Sequence, residues 1–161
     1  MAAFRSATWL AFLLPVSLLG GALIGQYGFG LYPCEMCMWQ RWPHLVAIIL
    51  AFAALLFRTT RWAMPLVVAA ALAILVSGLI GGFHAGVEYD WWEGLTSCAT
   101  NMPAGGDMLD SIMNAPLVRC DVAPWSLFGI SLAGFNFLFS VGGAILIAIL
   151  LAKSRRSAVS G

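Results

Sequence analysis

Charge is what this sequence has least of. Only 9% of its 161 residues are charged, while 61% are hydrophobic. A water-soluble domain keeps roughly a quarter of its residues charged, so this chain cannot cover its surface against water. Acidic residues are absent before Glu35, between Arg41 and Glu88, and after Asp121. Histidine is scarce too: there are two, His44 and His84, and neither has ligand spacing to the later cysteines. A Cys-x-x-Cys repeat is also missing, because Cys98 and Cys120 stand far apart. Together these absences speak against zinc, and no metal is expected. Nothing points to nucleic acid as a partner, and no internal repeat is visible.

What is present is apolar material in long blocks. A hydrophobic stretch of about 20 residues crosses a bilayer as a helix. The fold class expected is an all-α membrane protein, one domain over 1–161 in which four helices form the only core. The spans fall at about 8–29, 41–57, 62–84 and 125–151, with outer loops at about 30–40 and 85–124. The second span is short as drawn. Starting its helix near Met38 lengthens it and leaves Pro43 in the first turns, where a missing N–H is best tolerated. The apolar run behind Arg5 is too long for a cleaved leader and has no small-residue cleavage site after it, so it counts as the first span.

Loops rich in Lys and Arg stay in the cytoplasm. Arg5, Arg58, Arg61, Lys153, Arg155 and Arg156 all fall on one side of this layout. Both termini are therefore expected to be cytoplasmic and both cysteine-bearing loops periplasmic. All seven tryptophans sit near span ends, as amphipathic rings do at the headgroups. Gly20, Gly21, Gly25, Gly78, Gly81, Gly82, Gly142 and Gly143 suit close helix packing in lipid. In the second loop, Met108, Leu109, Ile112 and Met113 share one helical face behind Asp107. That pattern predicts a short helix lying on the outer membrane surface.

Cysteine is where chemistry concentrates. Cys34 and Cys37 lie in the first outer loop, Cys98 and Cys120 in the second. Cysteines facing an oxidising compartment form disulfides by default. A structural staple suits Cys98 and Cys120, where it would close a long loop. It suits Cys34 and Cys37 poorly, since so short a loop gains little order. A Cys-x-x-Cys at a helix N-terminus instead favours thiolate and redox exchange. Arg41 lies one turn beyond Cys37 on the same helix face, where the helix enters lipid. It is either a snorkelling anchor or a charge kept there for function.

"PCEMCMWQRWPH", "FHAGVEYDWWEGLTSC" and "CDVAPWSLFGISLAGFN", set in this layout, resemble the DsbB family of bacterial inner-membrane disulfide bond formation proteins. The resemblance covers nearly the whole chain. It implies a thiol:quinone oxidoreductase that reoxidises a DsbA-like periplasmic thioredoxin-fold partner and passes electrons to a membrane quinone, ubiquinone or menaquinone. By position, Cys98 would form the mixed disulfide with the partner, and Cys120 would be its mate and exchange with Cys34. Cys37 would face the quinone, with Arg41 beside it. His84 is matched to a family histidine near the quinone, and His44 is a rival proton donor. Gln26, Tyr27 and Asn136 either line the pocket or bond between helices. Resting disulfides Cys34–Cys37 and Cys98–Cys120 are expected. Two other readings stay open. One is a non-catalytic membrane protein with structural disulfides. The other is a vitamin K epoxide reductase-like quinone reductase, although its Cys-x-x-Cys normally lies late in the chain.

Overall fold

The computed structural model describes residues 2–95, 99–100 and 117–159. Four long helices carry it: α1 (Ala2–Phe29), α2 (Glu35–Leu56), α3 (Ala63–Glu88) and α4 (Leu132–Val159). Each is long and apolar enough to cross a membrane. Two short antiparallel ribbons complete it: β1 (Ala99–Thr100) with β2 (Leu117–Val118), and β3 (Ser126–Leu127) with β4 (Ile130–Ser131). The expected surface helix at 107–113 and Cys98 lie outside the described residues.

The helices run up and down, each packed mainly on its neighbours in a ring: α1 on α2, α2 on α3, α3 on α4, and α4 back on α1. Short connections dictate this for α1, α2 and α3. The turn between α2 and α3 holds Arg58 and Arg61. Arg155 near the end of α4 reaches Met64 at the start of α3. One end of the bundle thus carries Arg58, Arg61 and Arg155. The other carries Cys34, His84 and Cys120.

The core at the basic end is built from small side chains: Ala7, Ala11, Ala47, Ala51, Ala54 and Ala70 are buried around Val67, Ile74 and Ile147. Lipid is as apolar as a leucine side chain, so close backbone approach and polar contacts hold such helices together. Gly81 shows such an approach. A methyl group there would lie 2.9 Å from Asn136 Nδ2 and 3.1 Å from Gln40 Oε1. Gly78, Gly82 and Gly143 are similarly crowded, whereas Gly20, Gly21 and Gly142 have open space beside them. The expectation that all eight glycines serve close packing therefore fails for those three.

Several helix boundaries differ from the hydropathy reading: α1 starts at Ala2, α3 runs on to Glu88 and α4 to Val159, and two of the starts have an identifiable cause. Helix α2 begins at Glu35, directly after Cys34, whose sulfur accepts a hydrogen bond from the Cys37 amide at 3.3 Å. The cysteine motif itself starts the helix. Helix α4 begins at Leu132 and not at about Trp125, because β3 and β4 precede it. Their turn places Phe128 at φ 52° and Gly129 at φ 77°. Positive φ at both turn residues matches the right-handed twist of a two-residue hairpin.

Candidate active site

The N-terminal turn of α2 puts Cys34 and Cys37 on one side of the helix, with the sulfurs 3.0 Å apart. This is a thiol contact and not a bond, which would measure about 2.05 Å. Cys34 is buried, together with Met36, Val87 and Cys120. Its thiol precedes the spanning helix and is pushed up to about 12, first by its hydrogen bond to Cys37 and then by burial.

Cys120 arrives from the connection between α3 and α4. Its sulfur, the Cys34 sulfur and a ring nitrogen of His84 all lie within 4.8 Å of one another. His84 Nε2 is 3.5 Å from Cys34 Sγ and 3.2 Å from the Cys120 carbonyl. A sulfur–sulfur–nitrogen set of this kind is one that zinc accepts. The sequence offered no such spacing, because the three residues meet only through the fold. The sulfurs are ligands only while reduced, so the set competes with disulfide exchange.

Glu88 stands one turn beyond His84, its Oε1 3.7 Å from His84 Nε2 and its side chain 1% exposed. Its Oε2 is buried without a hydrogen-bond partner. Sequence reading passed over this residue. A carboxylate four positions after a histidine, at the end of an apolar helix, is the signal that would have found it.

Beside Cys37 opens a cavity of about 530 Å³. Its polar wall is Ser17, Cys37, Gln40, Arg41, His44 and Asn136. The rest is apolar and comes mainly from α1 and α4, with Ile24 and Phe135 among the contributors. Cys37, Arg41 and His44 follow one another at helical spacing, so one face of α2 meets the cavity. Arg41 is held across the gap by α1, donating to Gln26 Oε1 and to the Ala22 carbonyl at 3.4 Å. Tyr27 is 80% exposed and takes no part. His84 faces the Cys34–Cys120 side and does not line this cavity.

A buried polar seam joins the two regions. Gln40 donates to the Met36 carbonyl at 3.2 Å and contacts His84 Nδ1 at 2.9 Å. Asn136 Nδ2 donates to Gln40 Oε1 at 2.8 Å and to the Ser77 carbonyl at 3.2 Å. His44 Nε2 meets Asn136 Oδ1 at 2.9 Å.

With this geometry in hand, comparison with known proteins is decisive. The family model "Disulfide bond formation protein DsbB" matches residues 4–150. The chain belongs to the DsbB family. Disulfide bond formation protein B of Verminephrobacter eiseniae (strain EF01-2) is 31% identical, over 96% of this chain and 89% of its own length. Disulfide bond formation protein B 1 of Pseudomonas fluorescens (strain Pf0-1) is 26% identical, over 90% and 88%. An uncharacterized protein of Rickettsia prowazekii (strain Madrid E) is 24% identical, over 83% and 79%. No solved structure matches. As a DsbB-family chain, this is a multi-pass membrane oxidoreductase of disulfide bond formation.

Proposed function

We propose that this chain is a thiol:quinone oxidoreductase that reoxidises a DsbA-like periplasmic dithiol and passes the electrons to a membrane quinone. The single observation that carries the reading is the placement of Cys37. One side of the Cys34–Cys37 pair meets Cys120 and the other meets an apolar cavity lined by Arg41. A non-catalytic staple has no use for either neighbour.

The order of exchange follows from the sulfurs. A partner thiolate attacks Cys98 of a Cys98–Cys120 disulfide and frees the Cys120 thiolate. The Cys120 thiolate attacks Cys34 of a Cys34–Cys37 disulfide. A new Cys34–Cys120 bond forms, the Cys34–Cys37 bond breaks, and Cys37 leaves as thiolate. Exchange expels the sulfur with the lower pKa. Cys34, pushed up to about 12, is the poor leaving group, so the electrons move toward Cys37 and the cavity.

The cavity fits a quinone ring and the start of its tail. Its wall is mostly apolar, with a few placed polar groups, as small-molecule sites are. Quinone, when bound, supplies the acceptor for two electrons and two protons. Arg41 would hold a ring oxygen with its planar guanidinium, and Cys37 would face the ring. The second partner thiol closes the partner's disulfide and frees Cys98, which attacks Cys120 of the Cys34–Cys120 bond. Cys98–Cys120 is restored and Cys34 and Cys37 are left as the dithiol, whose two electrons and two protons a bound quinone would accept as Cys34–Cys37 re-forms. The basic end of the bundle is assigned to the cytoplasm and the cysteine end to the periplasm, by the Lys and Arg rule.

The test is peptide mapping of alkylated protein during turnover with reduced partner. A Cys34–Cys120 crosslink is expected in wild type, and Cys120→Ala should neither form it nor turn over. Normal turnover of Cys120→Ala would overturn the relay.

A further inference from the structure

We propose that His44 is the hydrogen-bond acceptor for a hydroxyl of the reduced ring, so that the cavity binds quinol more tightly than quinone at this end. This rests on the quinone reading above and deepens it.

The argument starts from two backbone carbonyls. A carbonyl only accepts. The Met36 carbonyl faces Gln40 Nε2, and the Ser77 carbonyl faces Asn136 Nδ2. Each contact fixes which end of its amide is the NH₂. Gln40 therefore presents its oxygen to Asn136, and Asn136 presents its oxygen to His44. His44 Nε2 must carry the proton and donate to Asn136 Oδ1. Ser140 donates to that same oxygen at 2.9 Å, which confirms its role as acceptor. In the neutral ring Nδ1 is then a bare lone pair.

That lone pair is buried and unsatisfied. His44 is 3% exposed, and its Nδ1 has no hydrogen-bond partner. A buried polar atom in that condition calls for a missing partner. His44 is one of the residues lining the cavity, two helical turns from Cys37, about 10.5 Å along the axis at ~1.5 Å per residue. Whatever satisfies Nδ1 must donate. A quinone offers only acceptor oxygens, whereas the quinol offers two hydroxyl donors. Arg41, by contrast, only donates. The two ends of the polar wall are thus complementary to different oxygens: a donor beside Cys37 and an acceptor at His44.

The experiment measures equilibrium binding anaerobically on the full chain in detergent, by quenching of tryptophan fluorescence. Trp125 lines the cavity and serves as reporter. A short-tailed ubiquinol is titrated into fully reduced protein, and the matching quinone into fully oxidised protein. The dimethyl ether of the quinol, which lacks both donors, is the third ligand. His44→Gln keeps a donor toward Asn136 but loses the acceptor at the Nδ1 position. His44→Asn keeps an acceptor there. His44→Gln should raise the quinol Kd about three- to tenfold, the scale of one neutral hydrogen bond, and move the quinone Kd by less than twofold. His44→Asn should restore much of the quinol affinity. Wild type should prefer quinol over its ether, and His44→Gln should lose that preference. Equal changes for quinol and quinone, or a wild type indifferent to the ether, would overturn the proposal. If wild type binds neither quinol nor quinone, the quinone reading itself fails.

Discussion

At the scale of single residues, the structure separates groups that the sequence left together. Cys34 and Cys37 look equivalent in "PCEMC", yet only Cys34 is buried against Cys120. Its raised pKa keeps it protonated through neutral pH, and its thiolate fraction grows only as pH approaches about 12. In reduced protein at pH 7, iodoacetamide should label Cys37 well before Cys34, as read by mass mapping. Preferential labelling of Cys34 would contradict the assigned order of exchange. Arg41 allows a second residue-scale prediction. An anchor needs only a long cation, so Arg41→Lys would then be silent. A ring contact uses the planar guanidinium, whose donors a lysine cannot reproduce. Arg41→Lys should raise the quinone KM, and Arg41→Met should raise it roughly ten- to hundredfold, matching the loss of a charge-assisted hydrogen bond of about 1.5–3 kcal/mol. Partner exchange at Cys98 should be little changed. Cys34, Cys37, Cys120 and Arg41 were legible because spacing and chemistry marked them. Gln40 and Ser77 were not, because their partners lie on other helices, and Glu88 was passed over although His84 stands one turn before it on the same helix. Gln40 and His84, for instance, meet across 44 positions, and no local pattern announces that.

At the scale of elements, hydropathy located four spans but misplaced three helix starts, those of α1, α2 and α4. It measures length of apolar run and is blind to caps and turns. The N-terminus of α2 is set by Cys34 acting as cap, and that of α4 by the β3–β4 hairpin. Tyr89 ties this hairpin to the end of α3, donating to the Gly129 carbonyl at 2.8 Å and accepting from the Ser131 amide at 3.0 Å. Close packing of α3 on α2 and α4 is likewise readable only where the neighbour is known. Gly81 and Gly20 look alike in sequence, but only Gly81 is crowded. Gly81→Ala should cost about 1–3 kcal/mol through overpacking and disturb the Gln40–Asn136 bond, whereas Gly20→Ala should cost nothing. Thermal unfolding in detergent distinguishes the two, and an equal Tm for Gly81→Ala and wild type would show that the seam yields easily.

At the scale of the whole molecule, the bundle is a two-ended device. Its basic end is apolar and small-residue inside. Its cysteine end holds a thiol cluster on one side of α2 and a cavity on the other. The proposed orientation rests on the basic residues. A cysteine introduced at Thr60 should resist a membrane-impermeant reagent added from the periplasmic side, and labelling there would reverse the topology. The central claim is that electrons from a protein dithiol leave through Cys37 into a quinone. The most direct measurement mixes purified protein anaerobically with reduced thioredoxin-like partner and a soluble quinone, following quinone absorbance and partner thiols together. The account predicts one quinone consumed for each partner disulfide formed, and no consumption with Cys37→Ser. Partner oxidation without quinone loss, or undiminished quinone loss in Cys37→Ser, would contradict it.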